Sequence, residues 1–216
     1  MTPRIVLLRH GRTAWNAERR FQGQADPPLD EVGRMQAYEA AALVAALRPD
    51  LLVSSDLRRA ADTATPLSQL TGLPVRSDPR LRERSLGHWE GLTRDEVGQK
   101  YPEELAQWLA GQDVTSRGGE SREDVATRAL TAVAELPAVG LAVLVTHSAT
   151  AMSLCGALLG VPQRVRVLGP LANCHWTELR RDESGWRVWA HNVGVPGTVV
   201  PLPVADPADS APDAQV

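Results

Sequence analysis

Three short apolar runs, each followed by a stretch of helical composition, constrain this chain more than any other feature. They are Ile5-Val6-Leu7-Leu8, "DLLVSS" from Asp50, and "LAVLVT" from Leu141 to Thr146. Strands apolar on both faces must be covered on both, which is the habit of parallel strands inside a sheet. Strand–helix alternation therefore predicts one α/β domain, a mostly parallel central sheet with helices on both faces. A chain of 216 residues can bury the core this needs without disulfide staples. Its two cysteines, Cys155 and Cys174, lack CxxC spacing and read as packing residues.

Between the runs, a polar loop spans Gly11 to Asp30. A helix follows from Glu31 to Leu47, with apolar or small residues at Val32, Met35, Ala42, Leu43 and Leu47. "LRRAADTATPLSQLTG" reads as the helix after the second strand, closed by Gly72, and "LPVRSD" as a third strand. "RLRERSLGHWEGLT" carries too many charges and glycines for a core element and reads as a loop. Arg94 to Gly111 is expected to be helical, and Ser121 with Asp124 has capping-box spacing for another helix. Ala149 to Leu159 supplies the helix after the last apolar run. "HWTELRR" and "GWRVWAHN" form a predicted C-terminal hairpin. The domain is expected to cover 1–193. The segment 194–216, with five prolines, reads as an irregular, dispensable tail.

The strand ends hold the chemistry. Ligands of open α/β sheets bind at the carboxyl edge, and there stand Arg9-His10 after the first run and His147 after the last. A guanidinium beside an imidazole is costly to bury without an anion between them. Gly11 is expected to let backbone approach that ligand, and Thr13 and Asn16 to add hydrogen-bond donors. The amides after His147 begin a helix and could hold the same anion. Arg58 and Arg59 open a helix whose dipole they oppose, so one of them calls for a compensating anion. Glu83, between Arg82 and Arg84, is equally consistent with a surface ion pair and with a functional acid. Of six tryptophans, Trp15 and Trp89 flank these loops and could wall a pocket.

Other chemistries find little support. A net charge of −3 gives no global field for nucleic acid or an anionic membrane. No apolar run reaches the ~20 residues of a membrane span and no signal-peptide pattern precedes Ile5, so the expected compartment is the cytoplasm. His88, His175 and His191 show no metal-ligand spacing, and the phosphate-loop, dinucleotide and GxSxG signatures are missing.

In order, "LRHGRTAWN", "SSDLRRAADTA", "LRERSLGHWEGL" and "VTHS" resemble the four active-site segments of the histidine phosphatase superfamily, with its phosphoglycerate-mutase-like fold. The resemblance covers Arg4 to Asn192. It implies that His10 is the nucleophile that becomes phosphohistidine, that Arg9, Arg59 and His147 clamp the phosphate, and that Glu83 is the proton donor. It also implies that Asn16, Gln22, Gly23 and Ser148 line the substrate pocket, joined by Thr13. No metal and no cofactor is required. Where the family often has two glycines after the second histidine, this chain has Ser148 and Ala149, so access there is expected to be tighter.

The loop "FQGQADPPLDEVG" and the segment "LGHWEG" look like the phosphatase rather than the mutase branch. "GGESREDVA" and "NCHWTELRR" look like phosphatases of a sugar-linked phosphoglycerate. The expected ligand is thus a small phosphorylated metabolite. A mutase, a broad-specificity or α-ribazole-type phosphatase, and a non-catalytic phospho-ligand binder are the alternatives. Arg84 and Arg117 could meet a substrate carboxylate, although surface solvation is the expectation for each. The terminal hairpin, with Trp186 and Trp189, suggests a homodimer.

Overall fold

A computed structural model describes residues 3–165 and 168–195. The apolar runs are strands β1 (Arg4–Arg9), β2 (Leu51–Ser54) and β4 (Leu141–Thr146), and "VRS" is β3 (Val75–Ser77). With β5 (Trp176–Asp182) and β6 (Gly185–Val193) they form one sheet in the order β3-β2-β4-β1-β5-β6. The first four run parallel. β5 is antiparallel to β1 and pairs antiparallel with β6, so the sheet is mixed, with the predicted hairpin at one edge.

Alternation of side chains along each strand sorts the apolar runs onto two faces. Val6, Leu8, Leu52, Val143 and Val145 pack under α2 (Glu31–Ala45) and α3 (Arg58–Thr71). Ile5, Leu7, Val53, Ala142 and Leu144 pack under α6 (Arg122–Ala134) and α7 (Ser148–Leu158). The buried face of α2 is Gly33, Ala37, Ala40, Ala41 and Val44, while Met35 and Leu43 lie exposed. Small residues surround most of α2, so polarity does not choose its inner face. Size does, because alanine and glycine let the helix lie close to the sheet and to α3. Both cysteines are free and buried in the core clusters, with burial raising each thiol to about 12.

Two helix ends follow the expected chemistry. The Ser121 side chain accepts from the Asp124 amide, and Asp124 accepts in return from the Ser121 amide. Gly72 closes α3 at φ 72°.

The segment expected as one helix from Arg94 is two, α4 (Arg94–Lys100) and α5 (Pro102–Leu109). Pro102 excludes its predecessor from helical geometry, and Tyr101 sits at φ −137°, ψ 57°. The segment read as a charged loop is also more ordered than its composition suggests. It makes short 3-10 turns at Pro79–Leu81 and Gly87–Trp89 and buries Leu81 and Trp89 completely. Trp89 forms a third cluster with Val97, Trp108 and Val114, against which Phe21 and Leu86 pack. Its indole N–H donates to Glu104 at 2.8 Å. This cluster stands apart from the two sheet cores. Of the expected tail, 196–216 lies outside the described residues.

Candidate active site

Register places the two histidines together. Arg9 of β1 is directly opposite Thr146 of β4, so His10 and His147 leave adjacent strands at the same edge. Their rings lie 5.0 Å apart between centroids, and both are buried. His10 N–H donates to the Thr146 carbonyl at 3.0 Å, and the Asn173 amide group donates to the His10 carbonyl at 2.9 Å. The His10 Nδ1 atom is 2.7 Å from the Gly11 carbonyl. A carbonyl only accepts, so Nδ1 carries the proton and Nε2 keeps its lone pair. His147 places Nε2 2.9 Å from Ser55 Oγ, while its buried Nδ1 has no partner among the described residues.

Gly11 works differently from expectation. A Cβ there would stand 2.4 Å from the Gly33 carbonyl oxygen. The glycine is needed because the loop after β1 packs directly on the start of α2, and no ligand has to be invoked for it.

Arg9 and Arg59 flank the imidazoles. Arg9 donates from Nη1 to the Leu171 carbonyl at 2.6 Å, and Arg59, fully buried, donates to the carbonyls of Ala25 and Gly23 at 2.6 and 2.8 Å. Arg58 is the solvated member of its pair and meets Asp62 at 3.6 Å. Burial lowers the Arg59 guanidinium to about 10 and also lowers Arg9. Burial first, then Arg59, pushes both imidazoles well below the usual histidine value, with Arg9 adding to the shift. Both histidines are therefore neutral at pH 7. A protonated His147 thus requires the charge of a bound anion.

Glu83 forms no ion pair with either neighbour. Arg82 binds Asp56 and Arg84 binds Asp113. The Glu83 carboxylate instead accepts from the amides of Arg84 (2.8 Å), Thr150 (3.1 Å) and Ala149 (3.2 Å) and from the Thr150 hydroxyl. It thereby occupies the N-terminus of α7, where the helix dipole favours a negative charge. Those amides are the ones expected to hold an anion beside His147.

A cavity of about 350 Å³ opens over this edge. Arg9, His10, Asn16, Gln22, Gly23, Arg59, Glu83 and Ser148 all line it. His147 stands behind His10. Thr13 does not reach the cavity, because it is fully buried and caps the single turn α1 (Ala14–Ala17) reciprocally with Asn16. Neither Trp15 nor Trp89 lines the wall. Phe21 and Trp108 do, supported from behind by Trp89.

Arg84 and Arg117 are not solvated, being 8% and 1% exposed. Glycine turns and the third cluster draw them inward, which local charge density in the sequence conceals.

Two carboxylates that sequence reasoning passed over hold the loops in place. Glu90 accepts from the amides of Gln24, Ala25 and Leu86 at 2.9–3.0 Å. Glu120 accepts from the Ser85 amide and from Arg128. Gly23, at φ 51°, leaves room for Glu90, whose carboxylate oxygen would lie 2.1 Å from a Cβ there. The only hint of Glu90 in the sequence is its place in "HWEG".

The model of the histidine phosphatase superfamily (branch 1) matches residues 5–194. Glucosyl-3-phosphoglycerate phosphatase of Mycobacterium tuberculosis is 45% identical over 188 residues, 82% of this chain and 84% of that protein. A probable phosphoglycerate mutase, GpmB, of Yersinia pestis is 37% identical over 186 residues, 84% of this chain and 86% of that protein. The structure of mycobacterial glucosyl-3-phosphoglycerate phosphatase Rv2419c complexed with VO3 superposes with a TM-score of 0.82 at 41% identity, covering 89% of this chain and all of that one. With the family model matching residues 5–194 and both sequence and fold shared with these relatives, the chain belongs to branch 1 of the histidine phosphatase superfamily.

Proposed function

We propose that the protein is a phosphomonoesterase working through a phosphohistidine on His10, and that its substrate is glucosyl-3-phosphoglycerate. One observation carries the chemistry: a neutral imidazole with its Nε2 lone pair free, flanked by the fully buried guanidinium of Arg59 and the part-buried one of Arg9. The guanidiniums would hold the phosphoryl oxygens, and His147 would take up a proton as the anion arrives.

In the first step His10 Nε2 forms a bond to phosphorus, the ester P–O bond breaks, and the Glu83 proton passes to the leaving oxygen. In the second, water forms a new P–O bond as its proton goes to Glu83. The P–N bond breaks, inorganic phosphate leaves, and Nε2 regains its lone pair. Amides supplied by α7 and by Arg84 hold Glu83 in position for both transfers. Every step is carried by side chains of this chain.

The substrate name rests on the 45% identical relative; the 37% identical relative named as a probable mutase supports mutase activity as the second reading. We take the ligand to be a small phosphorylated metabolite and the setting to be the cytoplasm. The domain would be 1–193. A homodimer would use the exposed Trp189 on the edge strand β6. Among the described residues no helix is long and apolar enough to cross a membrane.

The test is phosphate release from glucosyl-3-phosphoglycerate, 3-phosphoglycerate, α-ribazole phosphate and p-nitrophenyl phosphate, with chelator present, for wild type and His10→Ala. Release led by the glucosylated ester, falling below about one-thousandth in the variant, is expected. Isomerisation of phosphoglycerate without release would make it a mutase.

A further inference from the structure

Ser55 places a fully buried hydroxyl beside the second histidine. It follows β2 and extends the pairing of that strand with β4, its backbone N–H donating to the Val145 carbonyl at 2.9 Å. Val145 stands two residues before His147, which brings the serine level with the imidazole. Ser55 Oγ meets two polar atoms. It accepts from the Leu57 amide at 3.3 Å, and it lies 2.9 Å from His147 Nε2. Leu57 is the N-cap residue of α3 and supplies no side-chain cap. The serine therefore ties the start of the helix that carries Arg59 to the ring of His147. Its neighbour Ser54 is engaged elsewhere, donating from Oγ to the Ser55 carbonyl at 2.9 Å.

A hydroxyl has one proton to give, and burying it without an acceptor is costly. The Leu57 N–H can only donate. Among the described residues, the acceptor left for the Ser55 hydroxyl is His147 Nε2. We propose that Ser55 is a positioning residue of the reaction: its hydroxyl donates to His147 Nε2, holds the neutral ring as the Nδ1–H tautomer, and so keeps a donor ready for a phosphoryl oxygen. Nδ1, buried and without a partner among the described residues, is the ring nitrogen left for an incoming anion. The other tautomer would set a bare lone pair against that anion. Burial keeps the ring uncharged before the anion arrives, so the tautomer decides whether it attracts or repels. A proton settles on Nε2 only when the charge of the anion outweighs loss of the serine bond. The role rests on the phosphomonoesterase reading and deepens it, because it assigns what sets the second histidine of that site.

The first readout needs no variant. Long-range hydrogen–nitrogen correlation spectra of the ligand-free enzyme, labelled with nitrogen-15 histidine, report the tautomer of each of its five rings. The signals of His147 are those lost in His147→Asn. Nδ1 of that ring should resonate as a protonated, pyrrole-type nitrogen and Nε2 as a pyridine-type one. In Ser55→Ala the two shifts should move toward each other as the tautomers mix. The inhibition constant of inorganic phosphate should then rise about fivefold or more, and kcat/KM for p-nitrophenyl phosphate should fall about tenfold. Ser55→Thr, which keeps the hydroxyl, should recover most of both. Ser54→Ala, which removes the neighbouring buried hydroxyl, should lower the melting temperature without moving the ring shifts. A pyridine-type Nδ1 in wild type overturns the proposal and leaves the phosphatase intact. Unchanged ring shifts or unchanged phosphate inhibition in a folded Ser55→Ala, checked by thermal melt, overturns it too. Hydrolysis of no ester by the wild type would remove the phosphatase reading and the role of Ser55 with it.

Discussion

At the scale of single residues, the site depends on histidines kept uncharged. Burial and the cations Arg59 and Arg9 disfavour the imidazolium of His10, and the same influences act on His147. Lowering the pH from 7 to 6 should not protonate the nucleophile. The acid limb of kcat/KM, corrected for ionisation of the substrate, is therefore expected below about pH 6.5, the ordinary histidine value. A limb at or above that value would contradict the burial argument. Arg59→Met removes a cation, so besides weakening phosphate binding it should move that limb to higher pH. Stability carries the same signature. Below about pH 6.5 the unfolded chain binds protons at both positions while the folded chain does not, so stability should fall as pH drops through that value. Chemical denaturation between pH 7.5 and 5.5 would show it, and His147→Asn should flatten the slope.

Elements set where those residues stand. The segment 22–25 is a loop with no ladder of its own, yet its Gly23 and Ala25 carbonyls hold Arg59. Glu90 fixes that loop by accepting from two of its amides. Glu90→Gln would turn an amide group toward backbone donors, leaving part-buried N–H groups unpaired at a cost of about 1 kcal/mol. It should lower the melting temperature and cut kcat/KM about tenfold or more, although Glu90 lies outside the proposed chemistry. Unchanged kinetics would mean that the loop holds Arg59 without it. Helix α6 offers a simpler case. Ser121→Ala removes the side-chain half of a capping box and should cost about 1 kcal/mol, read from a denaturation midpoint. Among the elements, the Ser121–Asp124 capping box and the strand boundaries were legible because they depend on neighbours in sequence. The inner face of α2 and the break at Tyr101 were missed. The first is decided by packing, the second by a proline that the helical pattern on either side masked.

For the whole molecule, the architecture divides unequally. The two sheet cores share every strand but the exposed β3 between them, whereas the cluster around Trp89 and Trp108 has no strand to anchor it. Local opening draws on regions with the least buried apolar surface. Amides of α4 and α5 are therefore expected to exchange hydrogen much faster than those of β1 and β4, in native-state exchange measured peptide by peptide. Equal protection would mean that this cluster and the sheet unfold as one unit. The same cluster supplies Trp108 and Leu86 to the cavity wall, so opening there would change access to the site.

From the sequence alone came the α/β class, the strand positions, and the convergence of Arg9, His10 and His147 at one sheet edge. Those depend on patterns that strands and helices impose over a few residues. Only the tertiary structure decided that Glu83 caps α7, that Thr13 is spent on a helix turn, and that Arg84 and Arg117 turn inward. Such contacts join residues tens of positions apart in the chain. A charged side chain reads alike in sequence whether it meets water or a distant partner, and packing alone selects between them.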